Sequence, residues 1–229
     1  MALILQIETA TQTCSVALAQ DGVLLAYKEQ TERNIHASVI TLFIEELMQK
    51  ADKKFQDLEA IAVSMGPGSY TGLRIGVSTA KGLCYALDIP LIAVNTLEAM
   101  SSGFVANHFS VNSQTLFCPM IDARRMEVYC AIFNAETQQI QETKAEIIDE
   151  HSFKHLLTSN IIYFFGDGAT KCESVLGLHL NARVIDDFEN SARHLTRLAH
   201  EKFLKNEFED VAYFEPFYLK DFIAGKKAN

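Results

Sequence analysis

The sequence has few prolines, no long apolar run and no excess of positive charge. It holds 4 prolines among 229 residues, 48% of which are hydrophobic, so the chain can bury one large core or two small ones. No run approaches the roughly 18 apolar residues of a membrane span, and no basic region precedes the short apolar stretch at the N-terminus. We therefore expect a globular, cytoplasmic protein that does not cross a membrane.

The charge balance limits the partners of this chain. Its formal net charge is −9, with 29 acidic and 20 basic residues. Because Lys and Arg supply most of the affinity for a phosphate backbone, we expect this chain alone to bind nucleic acid poorly. A partner would have to bring the positive charge.

The cysteines are odd in number and widely spaced. Each lies in an apolar strand or helix pattern, which predicts buried reduced thiols rather than a disulfide framework or a metal site. They are Cys14, Cys84, Cys118, Cys130 and Cys172.

The most informative segment is residues 64–76, with the sequence SMGPGSYTGLRIG. A buried strand at residues 61–65 leads into a glycine and proline loop and then a helix, an arrangement that presents backbone N–H groups to anions in α/β folds. Gly66 and Gly68 permit close backbone approach, and Ser69 is a candidate N-cap. No Gly-Lys-Ser/Thr follows, so the segment is not a P-loop.

The helix after this loop has an unusual surface. Gly72, Gly76 and Ala80 recur every four residues, with Gly82 beyond, which leaves a bare face on which another backbone can lie. Three helical glycines cost roughly 3 kcal/mol relative to alanine. Close packing usually offsets such a cost, so this helix is as much a candidate docking surface as a catalytic element.

The order of predicted elements occurs twice. Strands at residues 2–8, 14–20 and 22–29, the last two joined by an Asp21-Gly22 turn of type I′, form a meander. A helix at residues 35–50, the strand 61–65, the glycine-faced helix, a strand at 91–95 and a short helix at 96–104 follow. The second series has strands at 116–122, 127–134 and 140–148, a helix at 152–157, strands at 161–165 and 182–185, and a helix at 191–206.

The two series share a glycine loop at equivalent points, since Gly166-Asp-Gly-Ala169 follows the strand 161–165. This predicts a duplicated α/β fold whose halves face each other across a cleft. The polar segment 101–114 is the natural boundary, which gives lobes at residues 1–106 and 107–229. A single mixed sheet with coincidental symmetry is the alternative.

Four segments together resemble the bacterial TsaB (YeaZ) family: residues 7–11, 66–76, 121–129 and 215–220. The resemblance runs from end to end, and residues 66–76 are its most specific part. It implies a two-lobed, duplicated ribonuclease H-like fold with mixed central sheets, of the acetate kinase, Hsp70 and actin type. One departure is Glu8, where the family usually carries Asp.

The resemblance also implies a function. Family members are non-catalytic partners of a paralogue, TsaD, which transfers threonylcarbamoyl to the adenosine next to the anticodon of tRNA, and a small ATPase, TsaE, is the third component. ATP and metal are expected on TsaD and TsaE, tRNA only within the complex, and a homodimer through the same helices when TsaD is absent. The segments aligned with superfamily phosphate loops are expected to be degenerate; their residues are Glu8, Thr9, Thr11, Gly66, Gly68, Ser69, Asp122 and Arg124.

The residues themselves argue against an ATP site. The turns at residues 8–11 and 122–126 contain no glycine, and Ala10, Ala123 and Arg124 place side chains where phosphate oxygens need room. Arg124 and its neighbour Arg125 can pair with an anion or, as a structural ion pair, with Glu127.

No catalytic or metal residue is predicted. The paralogue binds its metal through two histidines four apart, and the aligned residues here are Thr96 and Met100, which are poor ligands for iron or zinc. His151 and His155 lie four apart on a predicted helix, but two surface histidines are the favoured interpretation. Ser69 lacks the Gly-x-Ser-x-Gly context of a nucleophile. The alternative function is a nucleotide-dependent kinase-like transferase, or an M22-type peptidase, acting in the interlobe cleft.

Three further histidines have structural interpretations. His36 is either a partner contact or a half-exposed core residue, whereas His194 and His200 are expected on a solvated helix face.

The first helix has more apolar residues than one side of a sheet requires, so we expect it to bind a partner together with the glycine-faced helix. The predicted interface residues are His36, Val39, Ile40, Phe43, Leu47, Thr71, Gly72, Leu73, Arg74, Gly76, Val77, Ala80 and Lys81.

Overall fold

The structure is a computed structural model that describes residues 1–106 and 114–220. It contains two five-stranded sheets with equivalent strand orders, β3-β2-β1-β4-β5 and β8-β7-β6-β9-β10. The strands are β1 Leu3–Glu8, β2 Thr13–Gln20, β3 Val23–Thr31, β4 Ala60–Gly66, β5 Leu91–Asn95, β6 Thr115–Asp122, β7 Glu127–Phe133, β8 Gln139–Ile147, β9 Ile161–Phe165 and β10 Ala182–Ile185. The helices are α1 His36–Lys50, α2 Tyr70–Leu87, α3 Thr96–Ala106, α4 Lys154–Leu157, α5 Asp167–Lys171, α6 Glu173–Leu176 and α7 Thr196–Leu204.

Each sheet combines an antiparallel meander with two parallel strands. In the first sheet β1 pairs antiparallel with β2 and parallel with β4, and in the second β6 pairs antiparallel with β7 and parallel with β9. The repeated topology confirms the duplicated, two-lobed α/β fold. The single-sheet alternative is wrong, because the described strands form two separate sheets.

The hairpin between β2 and β3 forms as predicted. Asp21 and Gly22 both have positive φ, at 50° and 77°, which is the conformation of a type I′ turn. This turn sets the register that pairs Gln20 with Val23.

The inner strands β1, β2 and β4 of the first sheet are buried on both faces, whereas the edge strand β3 is largely exposed. Side chains such as Leu5, Ile7 and Val63 face a core formed with α1 and α2. On the opposite face Ile4 and Ala62 meet the C-terminal helix α7. A sheet covered on both sides explains why the apolar runs in β1 and β4 show no polar alternation.

Helix α3 lies between the two sheets. Leu97, Met100 and Phe104 pack against strands β6, β7 and β9 of the second lobe, and Ala99 faces the first sheet. Ser101 and Ser102, expected in a polar boundary, are instead buried within this helix. Residues 107–113 of that boundary lie outside the described part of the chain.

The chain after β10 returns to the first lobe. A 3₁₀ turn at Ala192–Leu195 and α7 pack on the first sheet, and the backbone N–H of Phe217 donates to the carbonyl of Met65 at 2.7 Å. The last segment of the chain therefore shares its core with the first lobe. The division of the lobes between residues 106 and 107 stays a prediction.

The second lobe holds most of the cysteines in its core. Cys118, Cys130 and Cys172 pack with Phe153 and Phe164. All five cysteines are free and buried, which confirms the prediction of buried reduced thiols. Within residues 1–106 and 114–220, no helix is long and apolar enough to cross a membrane.

The helices of the second lobe differ most from prediction. Helix α4 covers only Lys154–Leu157, so His151 precedes it and does not share a helix face with His155. The predicted helix 191–206 begins as a 3₁₀ turn and ends at Leu204. The short helix α6 has no clear sequence signal.

Candidate functional site

The loop that leads into α2 is closed by the chain itself. The carbonyl of Ala10 accepts a hydrogen bond from the backbone N–H of Ser69 at 2.7 Å, and the hydroxyl of Thr96 accepts one from Gly66 at 3.1 Å. Ser69 forms the predicted N-cap, since its hydroxyl accepts from Gly72 at 3.2 Å. Three N–H groups of the loop, those of Gly66, Ser69 and Gly72, are therefore engaged within the protein and not available to an anion.

The bare face of α2 lies against the turn that follows β1. A Cβ added at Gly72 would stand 2.1 Å from the carbonyl oxygen of Thr9, and one added at Gly76 would stand 2.2 Å from the Thr9 hydroxyl oxygen. The glycines thus permit close packing within the chain. This corrects the expectation that a partner backbone uses that face, although Gly82, with open space around it, remains at the surface.

Glu8, at the end of β1, is fully buried. One of its carboxyl oxygens, Oε1, accepts from the backbone N–H of Ala10 at 2.6 Å and from the Ser64 hydroxyl at 2.9 Å. Burial raises the pKa of Glu8 from 4.5 to about 7, and the hydrogen bonds from Ala10 and Ser64 oppose that rise. An enclosed carboxyl of this kind suits a structural role better than the binding of a hydrated metal ion.

The equivalent turn in the second lobe has an internal network. Asp122 is paired with the ammonium of Lys171 and accepts from the backbone N–H of Arg124 at 2.8 Å. Glu127 pairs with Lys220, so the suggested ion pair of Glu127 with Arg124 or Arg125 is wrong.

A cavity of about 390 Å³ at the phosphate-loop turns includes Arg33 and His36 as well as Asp122 and Asp167. A second cavity of the cleft, of about 340 Å³, is acidic: its wall includes Asp167, Asp186 and Glu189, with no Lys, Arg or His among the described lining residues. Burial in the cleft raises the pKa of Asp167, and the neighbouring Asp122 adds to the rise. The phosphates of a nucleotide would meet carboxylates in the acidic cavity, so the residues of that cavity do not fit this cofactor.

The residues aligned with the paralogue's metal ligands are enclosed. Thr96 and Met100 are fully buried, and the Thr96 hydroxyl is already engaged with the glycine loop. Neither side chain is free to serve a metal ion.

The histidines are more buried than the sequence suggests. His36 is a core residue, and burial lowers its pKa. His194 was expected on a solvated face, but it is buried and stacks on Phe188 at 5.1 Å between ring centres. Burial lowers the pKa of His194 to about 4. The amphipathic pattern around His194 does not reveal that other parts of the fold cover the polar side of this segment.

The predicted partner helices form, but most residues named for the interface face inward. The buried members have side chains or Cα atoms packed against the sheet or the Thr9 turn: His36, Ile40, Phe43, Leu47, Gly72, Leu73, Gly76, Val77 and Ala80. Arg74 donates to the Tyr218 hydroxyl at 3.1 Å, and Lys81 donates to the carbonyls of Ala212 and Phe214. These two cations hold the C-terminal segment. Thr71 is exposed and Val39 is half-buried.

The outer faces of α1 and α2 enclose a groove that was not predicted residue by residue. It has a volume of about 400 Å³ and a mainly apolar wall, and we call it the α1–α2 groove. Its lining residues are Thr41, Ile44, Glu45, Phe55, Ser78, Thr79, Gly82 and Leu83. Leu42, beside it on α1, is 54% exposed. The surplus of apolar residues in α1 was the sequence feature that indicated such a surface. Which residues face outward depends on the rotation of each helix about its axis as it packs on the sheet.

Comparisons with known proteins agree with this architecture. A family model described as TsaD, tRNA N6-adenosine threonylcarbamoyltransferase, matches residues 28–227. The tRNA threonylcarbamoyladenosine biosynthesis protein TsaB of Escherichia coli (strain K12) is 31% identical over 230 residues, covering 98% of this chain and 97% of that protein.

Two solved structures show the fold. The structure of YeaZ from Pseudomonas aeruginosa has a TM-score of 0.82 and 24% identity, covering 96% of this chain and all of that one. An inorganic polyphosphate/ATP-glucomannokinase from Arthrobacter sp. strain KM has a TM-score of 0.52 at 11% identity, covering 90% of this chain and 100% of that one. The two-lobed ribonuclease H-like fold expected from the sequence is confirmed.

Proposed function

The chain belongs to the TsaB family of tRNA threonylcarbamoyladenosine biosynthesis proteins, and on that basis we propose that it is a non-catalytic subunit that supports TsaD. In this role it binds TsaD through α1 and α2 and stabilises the state of TsaD that transfers threonylcarbamoyl to tRNA. TsaE and tRNA join only in the larger assembly.

One observation carries the non-catalytic part of the proposal. The chain's own backbone fills the phosphate-loop positions. The carbonyl of Ala10 accepts the hydrogen bond of the Ser69 N–H, and the carbonyl of Thr9 packs against Gly72. One cavity of the cleft beside them is lined by Asp167, Asp186 and Glu189 without a described cation. Neither feature suits the binding of a nucleoside triphosphate, since bound phosphates require free hydrogen-bond donors or cations.

The α1–α2 groove supports the binding part of the proposal. Its walls are mainly apolar, and Leu42 exposes half of its side chain beside it. An apolar groove between two helices suits a helix of the partner, which would turn the pair into a bundle. The same groove on a second copy would make homodimer formation compete with TsaD binding.

We expect Gly82→Arg to weaken TsaD binding by at least about tenfold, since a charged side chain would fill the groove. Gly82 has open space around it, so the substitution does not disturb the chain's own packing. The measurement is sedimentation of the mixed proteins. Gly82→Ala is the matched control and should bind nearly as well as the original chain; equal binding of Gly82→Arg would exclude this groove as the interface.

The whole proposal is tested by reconstituting tRNA modification from purified TsaD, TsaE and tRNA, with and without this chain. We expect modification to depend on its addition. Calorimetry of the isolated chain with ATP and magnesium should show weak or no binding. Tight binding with nucleotide turnover, or modification that proceeds equally without the chain, would contradict the proposal.

A further inference from the structure

A further cavity lies at the outer rim of the cleft, away from the α1–α2 groove. It has a volume of about 390 Å³ and is built by the start of α2, the turn after β6 and the C-terminal segment. We call its charged and aromatic wall the rim patch, which consists of Tyr70, Arg124, Tyr129, Tyr218 and Lys220. The cavity borders the degenerate phosphate loops through Gly68, Ser69 and Asp122, but neither those loops nor the docking groove accounts for three tyrosines beside these cations.

The rim patch contains one cation, Arg124, that is not paired with a carboxylate of the described chain, although Asp122 also lines the cavity. Asp122 is paired with Lys171, and Glu127 is paired with Lys220. Arg124 is exposed, and within residues 1–106 and 114–220 no carboxylate lies within ion-pair distance of it. Arg125, next to it, is also exposed. Two neighbouring exposed arginines thus lie at this rim in a protein of net charge −9.

Aromatic rings lie beside these cations. The rings of Tyr70 and Tyr218 are 4.8 Å apart, and the guanidinium of Arg74 lies 4.2 Å above Tyr70. The Tyr218 hydroxyl accepts from Arg74, which fixes this group in place. The third ring, Tyr129, is near enough to Lys220 and Arg124 that both oppose the rise of its pKa, whose main cause is burial.

Aromatic rings held in place next to a cation that has no carboxylate partner in the described chain, here Arg124, are features with which proteins hold single-stranded RNA. Bases stack on the rings, and phosphates pair with Arg and Lys. A free nucleotide would use a deeper pocket, and a folded protein partner would favour an apolar centre over this polar rim.

We propose that the rim patch binds an unpaired segment of RNA, with Arg124 on a phosphate and a tyrosine ring under a base. The inference deepens the proposed function, since tRNA would then contact this chain as well as TsaD. Because the rest of the chain is acidic, the contact is weak alone and orients tRNA within the assembly.

The conformation of Arg124 provides a clean test. Its φ is +74°, a region that glycine adopts without strain, so Arg124→Gly removes the charge and preserves or improves folding. Lys205→Gln is the matched control, because Lys205 is an exposed cation just beyond α7. Thermal unfolding of both variants checks that neither is destabilised.

In the reconstituted complex we expect Arg124→Gly to raise the KM for tRNA about fivefold at roughly 150 mM salt and to lower the salt slope of binding by about 1. Lys205→Gln should change neither quantity, and sedimentation should show that Arg124→Gly still binds TsaD. An unchanged KM, or an equal change in the control variant, would overturn the proposal.

A direct measurement separates this inference from the proposed function. Fluorescence anisotropy of the isolated chain with a labelled single-stranded RNA of about 12 nucleotides, in roughly 20 mM salt, needs no TsaD. We expect binding that Arg124→Gly weakens severalfold and that double-stranded RNA does not match. Displacement of the RNA by equimolar inorganic phosphate or ATP, or no difference between the variants, would refute RNA binding even if modification depends on the chain.

Discussion

Replacing Gly72 with alanine is expected to lower the free energy of unfolding by about 3 kcal/mol or more, because the new methyl group would stand 2.1 Å from a backbone oxygen. That oxygen belongs to Thr9, in a buried turn that has no room to withdraw. Either α2 or the end of β1 must move. Urea unfolding followed by circular dichroism gives the difference.

Gly82→Ala is the internal comparison for this prediction. It lies in the same helix but has no heavy atom near its added Cβ, so it should stabilise the protein by about 1 kcal/mol through helix propensity. Equal effects of the two substitutions would mean that α2 does not pack on the Thr9 turn as described.

A double-mutant cycle locates the contact more closely. Gly76→Ala places its Cβ 2.2 Å from the Thr9 hydroxyl oxygen, which has no hydrogen-bond partner in the described chain. Thr9→Ala removes that oxygen, so the double variant should recover most of the stability that Gly76→Ala loses. Additive losses would show that the two residues do not touch.

The second large effect is expected at Glu8, where Glu8→Gln should stabilise the protein increasingly as the pH rises. The folded pKa of Glu8 is about 7 and its ordinary value is 4.5, so between these values the unfolded carboxyl ionises first. In the original chain the favourable contribution of neutral Glu8 is full below pH 4.5 and is lost by pH 7. Gln resembles the neutral acid, so its advantage grows by about 2 to 3 kcal/mol from pH 5 to 8.

The Glu8→Gln substitution is informative because of the contacts of one carboxyl oxygen. The hydrogen bonds from Ala10 and Ser64 to Glu8 both end on Oε1, so the amide oxygen of Gln can accept both. Urea unfolding at several pH values measures the difference between the variant and the original chain, which cancels the opposite pH dependence of buried His194. Glu142→Gln, at an exposed position on β8, is the control. A difference for Glu8→Gln that stays flat from pH 5 to 8 would contradict the burial of an ionisable group there.

The order of the strands and helices was largely predictable from the sequence. Apolar runs bounded by turn residues locate β1, β4 and β5, and Asp21-Gly22 specifies its hairpin through local backbone preference alone. The repeated order of elements predicted the duplication. Short helices such as α4 and α6 were missed or misplaced, since a helix of about one turn has too few residues to show a period.

Less of the candidate site than of the fold was predictable from the sequence. The glycine spacing in α2 indicated a close backbone contact, but not that Thr9 of the same chain makes it. The apolar excess of α1 indicated a second contact surface, while the residues on that surface, such as Leu42 and Ser78, follow from how the helix rolls on its sheet. Arg74 and Lys81 were assigned to a partner because no local pattern reveals that the segment around Tyr218 returns to cover α2.

The sequence by itself determined the element order, the duplication, the reduced and buried state of the cysteines and the resemblance to a family, because these depend on local preference, periodicity and composition. Only the tertiary structure decided that the glycine loop is closed by Ala10 and Thr96, that Glu8 and His194 are buried, and that Arg124 lies beside the tyrosine rings of the rim. These are contacts between residues far apart in the chain, and they are set by the packing of two lobes and a returning C-terminal segment, which no local pattern encodes.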